Sequence, residues 1–245
     1  MSPLQDDAGL DEAAGPDLLK QALVELTYPS SLRVARNVSD FFASLPPEFT
    51  YSSISGVNPF DTASPRGYRF AHHSGSFEMR LFEDSLTLAA TSSYPGFATF
   101  RRFILGGTAK AKEHFELTAF SRVGLKYENA FFLLPENGKY RLTDYCTPLL
   151  NVDDPEVAAM SDFNLTLRSA RPRGGMTVRT SFRTEVFHQG ELTGQEYGTY
   201  FFDFDTFREG PVEFQDLETC LNELHRDVKS AYTRHVKIRE SGSER

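Results

Sequence analysis

From Tyr68 to Ala90 the chain alternates apolar and polar residues through three short runs, YRFAHH, SFEMRLF and SLTLAAT, parted by Ser74–Gly75 and by Glu83–Asp84. A period of two sends successive side chains to opposite faces of a strand, so Phe77, Met79 and Leu81, then Leu86, Leu88 and Ala90, each fall on one side. Connections this short join antiparallel neighbours, because a parallel partner is reached only by a long crossover. The stretch therefore predicts a three-stranded antiparallel meander with one apolar face.

The rest of the chain arranges itself around that meander. ALVELTY sets Leu23, Glu25 and Thr27 against Val24, Leu26 and Tyr28 as a first strand, closed by Pro29. SSLRVARNVSDFFASLPP reads as a helix capped by Ser30 or Ser31, with Leu32, Ala35, Val38, Phe42 and Leu45 at helical spacing and Pro46–Pro47 as its stop. Residues 48–67, rich in Pro, Gly and Ser, predict a long loop. A second helix follows Pro95, carrying Phe97, Phe100, Phe103 and Ile104 on one stripe, and Gly106–Gly107 are expected to weaken or break it.

SRVGLKYENAFF is a strand with Val123, Leu125 and Tyr127 on one face and Arg122, Lys126 and Glu128 on the other, running on to Leu134 before the turn PENGK. Residues 139–175 mix a loop, the capped segment DDPEVAAM, the short alternating piece FNLTLRSA and the turn RPRGG. MTVRTSFRTEVFHQ and EYGTYFFDFDTF then form a hairpin through Gly190–Gly194, with Val178, Phe182 and Val186 as candidates for burial. The last element is a long helix entered near Gln215 or Asp216, whose inward stripe is Leu217, Leu221, Leu224, Val228, Ala231, Tyr232 and His235 or Val236.

Strands nowhere alternate singly with helices, so the expected fold is α+β: antiparallel sheet packed by amphipathic helices, the longest at the C-terminus. The 22 Phe and 10 Tyr, with no Trp, supply rings to fill the layer between sheet and helices. Residues 1–16 predict a disordered lead-in, 17–238 a single domain and 239–245 a flexible tail. Two passes of a β-rich unit, each closed by a helix, leave room for pseudo-duplicated sub-lobes at 17–140 and 155–238, although no residue-level repeat supports them.

A formal net charge of −8 disfavours nucleic-acid backbones and anionic lipid, with a local basic patch at Arg168, Arg171 and Arg173 as the exception to weigh. Cys146 and Cys220 form no CxxC and no metal-type spacing, which fits a reducing compartment. The N-terminus lacks a basic n-region and an apolar h-region, and no apolar run approaches the ~20 residues of a membrane helix. The expectation is a cytoplasmic protein with no membrane association.

PDLLKQALVELTYP, GYRFAHHSGSFEMRLFEDSLTL, YPGFATFRRFI, RVGLKYENAF, YFFDFDTF and LNELHRDVKSAYTRHV, in this order, resemble a family of sporadically distributed prokaryotic proteins of about this chain's length. Its hallmarks are a first-strand glutamate, an RxGL[RK]YxN strand, an acidic late strand and a C-terminal leucine–histidine helix. The resemblance puts Arg122, Gly124, Leu125, Tyr127 and Asn129 on the family's central strand, Lys126 where arginine is usual, Glu25 in the first strand, Asp203 and Asp205 in the acidic strand and His225 in the helix. It implies no activity. Its patchy occurrence implies an accessory gene of the kind tied to phage defence or mobile elements.

Candidate binding residues are therefore Arg122, Lys126, Glu128, Asn129, Asp203, Asp205 and Glu25. Asp203 and Asp205, two apart on a strand, leave one face about 7 Å apart and could share a divalent ion. The plainer reading is a solvated face or a cross-strand ion pair with Arg122 or Lys126. If helices cover only one side of the sheet, the charged side is its wet side; if the sheet curves around a helix instead, Arg122, Lys126, Asp203 and Asp205 meet as the polar floor of a groove. His72 and His73, adjacent on a strand, should point to opposite faces, and His225 and His235 should flank the core. Cys220 is expected to be buried with an ordinary pKa, and neither GFATF nor GTAKAK completes a nucleophile elbow or a P-loop.

Three functions follow as expectations. The first is a non-catalytic interaction or sensing protein with a protein partner or small ligand, no cofactor and room for homo-oligomers. The second is a metal-dependent hydrolase or nuclease using Asp203, Asp205 and Glu25. The third is a helix-grip cup around an apolar ligand.

Overall fold

The computed structural model describes residues 19–54, 67–91, 94–135, 140, 162–171, 173–188 and 193–235. Strands β1 (Leu19–Thr27), β2 (Phe49–Ile54), β3 (Gly67–His72), β4 (Phe77–Phe82), β5 (Ser85–Ala90), β6 (Ala119–Leu133), β7 (Asp162–Arg171), β8 (Gly174–Val186) and β9 (Glu196–Glu213) form one sheet in the order β2-β3-β4-β5-β1-β6-β9-β8-β7. Every neighbouring pair is antiparallel. Helices α1 (Arg33–Ser44), α2 (Phe97–Phe115) and α3 (Leu217–His235) complete the α+β fold, α3 entering through a 3-10 turn at Phe214–Asp216.

Register explains why all three helices sit on one side. Phe70, Met79, Leu88, Val24, Leu125 and Thr206 are partners in succession from β3 across to β9, and all are buried. Period two puts this row on one face, which buries against helices to escape water. Phe41 of α1 meets Phe70 edge-on, Gly107 of α2 lies over Leu88 and Met79, and the Thr206 hydroxyl donates to the Leu224 carbonyl of α3. Full burial of each such aliphatic or aromatic side chain contributes roughly 1.5–3 kcal/mol.

β1 and β6 lie side by side at the centre, and on each side a meander of successive strands returns to them, β2-β3-β4-β5 to β1 and β7-β8-β9 to β6. Each meander is followed by a helix, α2 or α3. The halves of the chain thus share one continuous sheet and one core.

Several expectations change. Residues 49–54 are an edge strand where a loop was expected, because an edge needs no alternation when both faces of FTYSSI are largely exposed. The buried stripe of α1 is Val34, Val38 and Phe41 rather than the set beginning at Leu32 and Ala35; Leu32 is 69% exposed. The Ser31 hydroxyl does accept from the Arg33 N–H at the helix entrance. Val186 is exposed and Val178 half-buried, which leaves Phe182 as the buried residue of the three in β8. The meander and the α3 stripe Leu217, Leu221, Leu224, Val228 and Ala231 are as expected. DDPEVAAM, Val236 and the acidic lead-in lie outside the described residues, as does nearly all of the turn PENGK.

Gly106 and Gly107 do not break α2, which runs through them. A Cβ on Gly107 would lie 2.8 Å from Leu88 Cδ2 and 3.1 Å from Met79 Sδ, so the missing side chain lets helix and sheet approach. Gly106 faces open space. Urea denaturation should separate the two: Gly107→Ala is expected to destabilise by about 1–3 kcal/mol through overpacking, whereas Gly106→Ala should stabilise by roughly 0.5–1 kcal/mol. Equal effects would mean that the two glycines are not distinguished by packing.

Candidate functional site on the open face

No described element covers the face opposite the helices. Across its middle run two rows, Leu23–Lys126–Asp205–Thr177 and Gln21–Glu128–Asp203–Arg179, each reading from β1 through β6 and β9 to β8. Glu25 of β1 stands opposite Gly124 of β6, which stands opposite Phe207 of β9. Arg122, Lys126, Glu128, Asp203, Asp205 and Glu25 therefore share the face that the helices leave open, the arrangement of the wet-side reading with cross-strand ion pairs rather than of a groove in a sheet curved around a helix. Asn129 does not join them: it is buried on the helix side, where its Nδ2 donates to the Phe202 carbonyl at 3.0 Å.

Diagonal pairs knit the cluster together. Arg122 reaches Glu25 at 3.0 Å and Asp205 at 3.7 Å. Lys126 pairs with Asp203 at 3.2 Å and with Glu128. Arg122 gets there by folding back over Gly124: a Cβ at that position would come within 2.9 Å of its Nη1. The guanidinium then lies 4.9 Å above the Phe207 ring, a cation–π contact. The glycine of RVGL is thus a slot for the arginine two residues before it, a role invisible in a strand pattern that records only polar or apolar.

The middle of the cluster is partly withdrawn from water. The Lys126 side chain is 18% exposed, and burial alone would lower its pKa, but the Glu128 and Asp203 carboxylates outweigh burial and hold the ammonium above its ordinary range. Burial pushes the Asp203 carboxyl up, with Lys126 opposing and the like charge of Glu128 adding to the rise. Further along the same face Glu78 is buried under Arg69 and Arg80, whose Nε atoms donate to it at 2.7 Å and 2.5 Å. Burial works to raise that carboxyl, yet the two arginines hold it below its ordinary value.

Each acidic side chain in the cluster is accounted for by a cation, so a divalent ion could be held by Asp203 and Asp205 only by displacing Lys126 and Arg122. Among the described residues no group of three or more His, Cys, Asp or Glu is placed to hold a metal ion. The space beneath the sheet is filled: Phe202, Phe204 and Leu224 pack together in the core between β9 and α3.

Other expectations resolve away from this face. His225 flanks the core as expected, and its Nδ1 meets the Tyr127 hydroxyl at 2.9 Å, which in turn shares a 2.9 Å hydrogen bond with Tyr94. Phe97 stacks on His225 with centroids 3.8 Å apart. This chain of polar groups joining β6 to α3 escaped sequence reading, because Tyr127 and His225 each sit in an otherwise apolar phase. His72 and His73 do not diverge: β3 ends at His72, and without the pleat to separate them their rings stack at 4.7 Å. Cys220 is buried, but burial raises its thiol pKa above the ordinary value that was expected. Of the basic patch, Arg168 and Arg173 are exposed; Cys146 lies outside the described residues.

A cleft of about 300 Å³ opens between Gly174–Gly175 of β8 and Glu223, Arg226 and Asp227 of α3. Gly174 is required there: its φ is +149° and a Cβ would lie 2.0 Å from the Phe207 carbonyl oxygen. Arg208 lines the same cleft and pairs with Glu223.

No protein-family model matches the chain, and no curated protein matches it. Among solved structures there is a distant likeness to the duplicated taurocyamine kinase from Schistosoma mansoni with bound transition state analog components. That likeness has 10% identity and a TM-score of 0.44, covering 89% of this chain and 33% of the other; the chain spans about a third of that protein's length. Among the described residues no helix is long and apolar enough to cross a membrane.

The Asp203 and Glu78 carboxylates should respond to pH with opposite sign. Asp203 binds its proton more tightly folded than unfolded, so its contribution to stability falls as pH rises from the ordinary aspartate value through the raised one. Asp203→Asn removes that slope, and its melting temperature relative to the parent should become more favourable from acid to neutral pH. Glu78 binds its proton less tightly when folded, so its contribution is present above the ordinary glutamate value and lost as pH falls through the lowered one. Glu78→Gln should cost roughly 1.5–3 kcal/mol at neutral pH, shrinking in acid. Thermal melts across pH in which both variants track the parent would refute the assigned environments.

Proposed function

We propose that this chain is an accessory binding component that does no chemistry of its own and seats a protein partner on the open face of its sheet. The observation that carries this reading is the cluster of Glu25, Arg122, Lys126, Glu128, Asp203 and Asp205, held in place by mutual ion pairs on a face that no described element covers. Mixed charge at fixed spacing favours a partner whose own charges interleave with it, and sets register and specificity more than raw affinity. Phe201 and Phe207 flank the cluster on β9, with Arg183 over the Phe201 ring at 5.1 Å, and aromatic and arginine side chains are the kinds that anchor protein interfaces. The hydrolase reading finds less support, since its carboxylates are already matched by cations. The helix-grip reading finds less support too, since the interior is filled with rings.

The test pairs capture with calorimetry. Arg122→Glu places a third acid beside Glu25 and Asp205; it should keep the parent's circular dichroism yet lose the proteins that the parent retains from its own host's extract. Titration of the parent with Mg²⁺ or Mn²⁺ should give no heat that Asp203→Ala with Asp205→Ala abolishes. Stoichiometric divalent-ion heat that disappears in the double variant would sink the binding-protein reading and restore the metal enzyme.

A further inference from the structure

β7 is the last strand of the sheet, and its ladder to β8 runs without a bulge from Asp162↔Arg183 to Arg171↔Gly174. Among the described residues nothing pairs with its outer side. Sheets usually blunt such an edge with Pro, Lys, a bulge or a very short strand, because a row of unpaired N–H and C=O groups is a template for another chain. Charged side chains blunt an edge too, and β7 has the exposed Arg168, but it carries none of the other devices: it is 10 residues long and regular, and contains no Pro, Gly or Lys. The opposite edge, β2, has 6 residues.

The side chains of β7 are also under-covered. Asn164, Thr166, Leu167, Arg168, Ser169 and Ala170 are exposed, Leu167 at 45%. Phe163, Leu165 and Leu167 share the helix-side face, since their β8 partners Phe182, Thr180 and Val178 stand opposite the buried Tyr200, Phe202 and Phe204. Asn164, Thr166 and Arg168 share the open face.

We propose that β7 is a homodimer interface, in which a second copy of this chain adds antiparallel across the edge with Leu165 on the two-fold axis. An axis normal to the sheet keeps each face continuous, so apolar must meet apolar on one side and polar meet polar on the other. With Leu165 on the axis, Phe163 of one copy stands opposite Leu167 of the other and Asn164 opposite Thr166. Moving the axis to Thr166 sets Phe163 against Ser169; moving it to Leu167 sets Leu165 against Ser169. The self-complementary register is therefore specific, and it names the occupant as a second copy. Dimerisation joins two sheets edge to edge and places two open faces in one continuous surface, independently of what that surface binds.

Cysteine trapping and light scattering on the full chain test this. Leu165→Cys should form an intermolecular disulfide under mild oxidation, because residue 165 meets itself with Cβ atoms about 4.5–5.5 Å apart. Leu167→Cys, which meets Phe163, should not; the parent, with its own Cys146 and Cys220, sets the baseline. Leu165→Lys places like charges on the axis and should raise the dimer dissociation constant at least about tenfold with the circular dichroism unchanged. A parent that stays monomeric as concentration rises overturns the proposal. So does a dimer that Leu165→Cys fails to trap, or one trapped through Leu167→Cys instead.

Discussion

The antiparallel ladder between β6 and β9 holds the molecule together and creates its candidate site in the same stroke. It runs from Ala119↔Glu213 to Leu133↔Gly198, and on its helix side it stacks Leu125, Tyr127 and Asn129 against Thr206, Phe204 and Phe202. Burial of that side under α3 fixes the register, because a slip of one residue would turn every ring out and every charge in. Once register is fixed, the opposite side has no freedom: Lys126 must face Asp205, and Glu128 must face Asp203.

The charges are thus passengers of the core, yet their arrangement is not indifferent. Directly opposed Glu128 and Asp203 repel, and Lys126 sits diagonally between them to offset that repulsion. Arg122 does the same between Glu25 and Asp205, using the gap at Gly124 and the ring of Phe207. At the far end of the ladder Gly210, with φ +97°, gives β9 an extra residue opposite Ser121, and this bulge ends the regular register just beyond Arg122. The cluster therefore has a defined boundary within the sheet.

Much of this was legible in advance, and the failures have physical causes. The phase of each central strand was plain, since Val24, Leu88 and Leu125 fall on the buried face that alternation assigns them. α3 was plain because a one-sided amphipathic helix repeats its apolar residues through about four turns, from Leu217 to Ala231. β2 was missed because an edge strand is under no pressure to alternate. Gly107 was misread as a breaker because propensity counts backbone entropy alone, while here a bulkier residue would collide with Leu88. Tyr94, Tyr127 and His225 gave no warning of their hydrogen-bonded chain, since each is common in an amphipathic core on its own.

What the sequence by itself determined was local: where strands and helices lie, and which side chains share a face, because backbone geometry repeats every two residues in a strand and every 3.6 in a helix. Which strands become neighbours was decided only in three dimensions. β6 reaches β9 across more than sixty intervening residues, and that choice follows from burying a whole apolar face at once rather than from any local preference. The meeting of Arg122 and Lys126 with Asp203, Asp205 and Glu25 is a product of that non-local pairing, so the sequence could offer the cross-strand ion pairs only as one reading, and the tertiary structure decided it.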